Sequence, residues 1–92
     1  MSQGIHLDDL LALLHHDREL FERLCAEGHL DREADRFSHE QAETARVVGT
    51  LIHELEVNWE GAEVILRLRS ELVATRRQVS ELLVLLQQRR DE

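Results

Sequence analysis

Between Trp59 and Arg90 nothing in the sequence stops a helix: proline is absent, and the one glycine, Gly61, sits near the start behind Asn58, a good N-cap residue. At about 1.5 Å per residue such a helix is a rod of roughly 45 to 50 Å. Its apolar residues Ile65, Leu68, Leu72, Val79, Leu82 and Leu86 recur at alternating steps of three and four, and Thr75 takes the one missing seam position. A chain of 92 residues has too little else to cover this rod, so the seam calls for a helix from another molecule. Each seam side chain contributes about 1.5 to 3 kcal/mol when fully buried, before the cost of association is subtracted. Homodimerisation through a coiled coil is therefore expected.

The periodicity changes character near Val57, which divides the chain into a compact unit over 1–57 and the long amphipathic helix over 58–92. Leu10, Leu11, Leu13 and Leu14 mark a first short helix, and the polar break His15, His16, Asp17 separates it from the stripe Leu20, Phe21, Leu24, Cys25. Gly28 follows that stripe, where a helix often ends on a left-handed residue. Two helices joined by so short a break suggest a helix-turn-helix. Residues 29–37 are charged and carry no helical stripe, so they should form a loop or a small two-stranded wing. Ser38 and Gln41 have the spacing of a capping box and restart helix, which Ala45, Val48, Ile52 and Leu55 continue, with Leu51 widening the face. This third helix should pack on the first two. Leu, Ala, Glu and Arg dominate and aromatic residues are only 3%, so the expected class is all-α, a helix-turn-helix unit with a short wing followed by a long dimerisation helix.

Charge placement narrows the function. The formal net charge is -8, and residues 1–57 hold thirteen acids against five arginines, so the whole deficit lies in the compact unit. A nucleic-acid binder needs cations to replace phosphate counterions, and this half repels a polyanion instead. The second helix exposes Asp17, Arg18, Glu19, Glu22, Arg23 and Glu27, and the wing adds Asp31, Glu33 and Asp35 against Arg32 and Arg36. Such a face steers a basic protein partner.

No chemistry of bond-making is visible. The six histidines include no i, i+4 pair, so no metal is expected, and no cofactor motif is present. Cys25 lies on an apolar helix face, where a thiol acts as a small hydrophobe. Ser2, Ser38, Ser70 and Ser80 lack a glycine-flanked nucleophile turn. A single cysteine and the lack of a signal-peptide pattern point to the cytoplasm, and the longest apolar run, Leu82 to Leu86, is too short to cross a membrane. The chain is expected not to be an enzyme.

The order of these elements resembles the MerR family of regulators: Gly28-His29-Leu30 stands at that family's Gly-Leu-Leu turn, and Phe37-Ser38 at the aromatic end of its wing. Asp31 and Arg32 replace the proline and arginine that usually follow the turn, and the wing lacks the Tyr-Arg pair used on the DNA backbone, so direct DNA binding is not expected. A closer resemblance is to the chaperone-modulator family CbpM, carried by Leu55 to Leu68, where Trp59, Gly61, Val64, Leu66 and Leu68 match its Trp-x-Gly-x-x-Val-x-Leu-x-Leu junction. Physically, Trp59 reads as a hinge anchor for the start of the rod, with Gly61 beside it. The resemblance implies a dimer that binds the J-domain of a CbpA- or DnaJ-like co-chaperone, restrains its work with Hsp70 and opposes its DNA binding. J-domains present a basic helix, so charge alone places the contact on Asp17, Glu19 and Glu22, with Asp31, Glu33 and Asp35 next. The alternative is a MerR-type transcriptional regulator that binds DNA as a dimer.

Overall fold

A computed structural model describes residues 4–90, which excludes Ser2; the chain is mostly helical, with helix over 74% of it and one two-stranded sheet. It divides into two compact units, Met1–Ala62 and Glu63–Glu92. In chain order the described elements are strand β1 (Ile5–His6), helices α1 (Leu7–Leu13) and α2 (Arg18–Ala26), strand β2 (Arg36–Phe37), helix α3 (His39–Gly49), a π-helical turn (Thr50–Glu54) and helix α4 (Trp59–Arg90).

The core of the first unit is aliphatic with two stacked-edge phenylalanines. Leu10, Leu14, Leu24, Phe37 and Val48 are fully enclosed, and Leu11, Leu20, Phe21, Leu30 and Ala45 are buried around them. Phe21 meets Phe37 edge-on, with ring centroids 6.3 Å apart and planes at 87°. Phe37 is buried from a paired strand, with Ile5 as its antiparallel partner and His6 opposite Arg36. The segment read as a possible two-stranded wing thus carries one strand, and its mate precedes α1.

Helices α1 and α2 are joined by Leu14 to Asp17, with His15 and His16 in the left-handed region at φ 58° and 60°. Asp17 then caps α2, its Oδ1 accepting from the Leu20 amide at 3.0 Å. At the other end Gly28 has φ +84°, which costs glycine nothing, and the His29 and Leu30 amides both donate to the Leu24 carbonyl at 2.9 and 3.3 Å. Cys25, expected within the apolar face, is only partly buried there.

Helix α3 starts on the capping box that the spacing predicts. The Ser38 hydroxyl accepts from the Gln41 amide at 3.1 Å, and the Gln41 side chain accepts from the Ser38 amide at 2.9 Å. Its inner face holds Ala45, Val48 and the buried Gly49, where a Cβ would lie 2.2 Å from the Leu13 carbonyl oxygen. Glycine is what lets α3 cross the end of α1 at backbone distance.

The expected stripe Ala45, Val48, Ile52, Leu55 does not run to its end. After Gly49 the chain widens into the π turn, with the Leu55 amide donating to the Thr50 carbonyl at 3.0 Å. An i→i−5 turn inserts an extra residue and rotates the following side chains off the core face. Ile52 is accordingly half-buried and Leu55 is 62% exposed. Glu56 follows at φ 56°, and the Val57 amide closes back on the Leu51 carbonyl at 2.8 Å. Asn58 caps α4 through its Oδ1, which accepts from the Gly61 amide at 2.8 Å.

The second unit is the remainder of α4. Leu66 is buried and Ile65 half-buried, while Leu68, Leu72, Val79, Leu82 and Leu86 stand 49 to 59% exposed. Among the described residues no helix is long and apolar enough to cross a membrane.

Candidate functional site

Two surfaces stand out: the face formed by α2 and the loop after it, and the apolar length of α4. On the first, the arginines are largely committed within the fold. The Arg32 Nη1 lies 2.5 Å from Glu22 Oε1, and on neighbouring α3 Arg46 is bidentate on Glu43 at 2.7 and 3.1 Å. The Arg23 guanidinium covers the buried Trp59 ring at 5.0 Å from its centroid, and Arg36 donates to the Gly4 carbonyl at 3.3 Å. Among the described residues Arg18 is the one of the five arginines without such a contact.

The acids are placed differently. Glu19, Glu22, Asp31, Glu33 and Asp35 are all exposed. Among the described residues Glu19, Glu27, Glu33 and Asp35 have no ion-pair partner. Asp31 uses Oδ1 to accept the Glu33 amide at 3.0 Å, which tightens the loop and leaves its charge in place. Asp17 stands apart from the rest. Besides capping α2, it places Oδ2 2.8 Å from His53 Nε2, and its side chain is only 28% exposed.

That last contact belongs to a cluster with no local signature in the sequence. His15 Nε2 lies 3.2 Å from Glu54 Oε2, and the His15 and His53 rings stack at 5.0 Å with 21° between planes. Two residues of the α1–α2 connection thus pair crosswise with two of the π turn, which are 36 to 39 positions away in the chain. With its proton on Nε2 each imidazole donates to the facing carboxylate. The cluster ties the turn to the end of α3. Among the described residues no group of three or more His, Cys, Asp or Glu side chains is arranged to hold a metal ion.

Cys25 is set against reactivity. Burial pushes its thiol pKa up; Arg32 pulls it down less, and Glu22 and Asp31 add to the rise. A thiol so placed is less ionised than a free one at neutral pH, the reverse of an activated nucleophile. The Ser38 hydroxyl is engaged in its cap.

Trp59 and Gly61 both fall in the first unit, where the Trp59 ring is 8% exposed under Arg23. The second surface is broader than the six seam positions. Val64, Val73, Leu83, Val84 and Leu85 are also exposed, at 45 to 60%. The five-residue apolar run at 82–86 is the sequence signal for this: consecutive residues point in every direction around a helix.

No family model matches the chain, and neither a curated protein nor a solved structure does.

Proposed function

We propose that the chain is a non-catalytic, cytoplasmic modulator that works as a homodimer and binds the basic helix of a J-domain, lowering the stimulation that a CbpA- or DnaJ-like co-chaperone gives to Hsp70. The single observation that carries this reading is the uneven use of charge in the first unit. Four of its five arginines make internal contacts, while Glu19, Glu27, Glu33 and Asp35 remain exposed and outside any ion pair. With seven acids against four arginines over 17–37, the surface of α2 and its loop is net negative, and its unpaired acids are the part free to meet a partner. A cationic polypeptide gains from this field in rate and in specificity, and a DNA duplex is repelled by it. In finer terms the reading takes 1–57 as a MerR-like winged helix-turn-helix unit of the CbpM kind and 58–92 as its dimerising helix.

The dimer rests on the exposed seam. The five seam side chains that are about half exposed would each add roughly 1 kcal/mol on burial, so two copies supply about 10 kcal/mol gross. Association costs about 4 to 15 kcal/mol. A seam of this strength gives a concentration-dependent dimer.

Titrating the protein into an Hsp70 ATPase assay with the cognate J-protein tests the function. Stimulation should fall as the dimer is added, and the Glu19→Lys, Glu22→Lys double variant should lose the effect through a slower on-rate and a weaker salt dependence. Undiminished stimulation at saturating dimer refutes the proposal. The second reading, a MerR-type regulator, is favoured by the two short helices joined at Leu14 to Asp17 and followed by a strand. A discrete complex with duplex DNA, with a steep salt slope, would decide for it.

A further inference from the structure

The residues flanking the seam change in kind along α4. With Ile65, Leu72, Val79 and Leu86 at heptad position a and Leu68, Thr75 and Leu82 at d, Val64 and Arg90 take the g and e positions at the two ends, and the e and g positions between Leu68 and Leu82 are Arg69, Glu71, Arg76 and Gln78. Downstream the same positions are Leu83 and Leu85. An apolar stripe confined to a and d is covered by one partner helix, whereas apolar e and g positions widen it to the face of a helix in a larger bundle. Leu83 and Leu85 are 60% and 55% exposed, so the widened part is open to a partner.

The composition of this belt says what does cover it. No charge occurs from Leu82 to Gln88, so the belt offers neither sign to a charged partner. Glu81 and Arg89 bracket it at equal distances of four residues from Leu85, on the same helix face. Two belts laid antiparallel about Leu85 therefore bring Glu81 of each copy beside Arg89 of the other, twice over. The surface is complementary to itself in both charge and apolarity, which is the requirement of a two-fold contact between identical chains.

We propose that the uncharged run Leu82 to Gln88 carries a tetramerisation belt, in which two dimers join through Leu83 and Leu85 into a four-helix core. This rests on the homodimer proposed above and adds a second, weaker association step. The upstream seam sets the dimer; the belt joins dimers.

Sedimentation velocity on the full chain, from low to high micromolar concentration, separates the steps. The unaltered protein should pass from dimer to tetramer as concentration rises. Leu83→Lys with Leu85→Lys should stop at dimer with unchanged circular dichroism, because both side chains are exposed. Glu81→Arg should weaken the tetramer several-fold, and adding Arg89→Glu should restore it. An unaltered protein that stays dimeric at every concentration overturns the belt and leaves the homodimer standing, whereas one that stays monomeric overturns both. A tetramer that survives the Leu83, Leu85 double variant also overturns the belt.

Discussion

Replacing Gly49 by alanine is a severe test of how the first unit is packed. In isolation the change should help, because alanine is favoured over glycine inside a helix by about 0.8 to 1 kcal/mol. The structure reverses that sign. A Cβ at this position would stand 2.2 Å from the Leu13 carbonyl oxygen, 3.2 Å from its carbon and 3.3 Å from the Leu14 Cα, all of them backbone atoms. No rotamer change relieves such a clash; α1 and α3 must move apart by roughly 1 Å, and overpacking of a dense core costs about 1 to 3 kcal/mol. Leu10, Leu14 and Val48 flank the contact and are fully enclosed, so separation also opens the core. We expect a net loss of about 1 kcal/mol, which for a domain of this size lowers Tm by roughly 4 to 8 °C. Thermal unfolding by far-UV circular dichroism at fixed protomer concentration reads this directly, since the proposed dimerisation would make Tm concentration-dependent. Gly61→Ala is the control: its Cβ would meet a side-chain atom, Val57 Cγ1 at 2.8 Å, together with Asn58 Oδ1 at 3.2 Å, and the valine can turn away. A Gly49→Ala variant that melts at or above the parent temperature would falsify the close crossing of α1 and α3.

Three further outcomes follow from particular contacts. Ser38→Ala removes the acceptor for the Gln41 amide and should cost about 1 kcal/mol in a denaturant titration, with Ser38→Asp close to neutral. Cys25 in the native protein should react with a thiol reagent at neutral pH more slowly than a free thiol, because its raised pKa leaves less thiolate; the rate should climb as pH rises toward that pKa, and a rate equal to that of the unfolded protein refutes the assignment. If the proposed dimer forms, Leu68→Glu with Leu72→Glu should convert it to monomer in light scattering while the first unit keeps its unfolding transition; a dimer that persists refutes the seam.

Local chemistry was enough to read much of this chain. Ser38 and Gln41, Asn58 and Gly28 announce their caps because each acts through hydrogen bonds or dihedrals that span only a few residues, and the run from Trp59 to Arg90 is helical because nothing in it opposes helix. The acidic balance of the first unit is likewise a property of composition. What needed three dimensions were pairings between distant segments. Ile5 completes the sheet with Phe37, Gly49 admits the end of α1, and His15 and His53 stack across more than thirty positions, none of which leaves a periodic trace. The π turn belongs with them: Leu51, Ile52 and Leu55 fit a regular helical stripe by spacing, and the inserted residue that turns Leu55 outward appears only once the backbone is laid down. The same holds for the charge of the proposed binding face, since the acids can be counted in the sequence, but which arginines are already engaged by Trp59, Glu22 and the Gly4 carbonyl depends on the folded geometry.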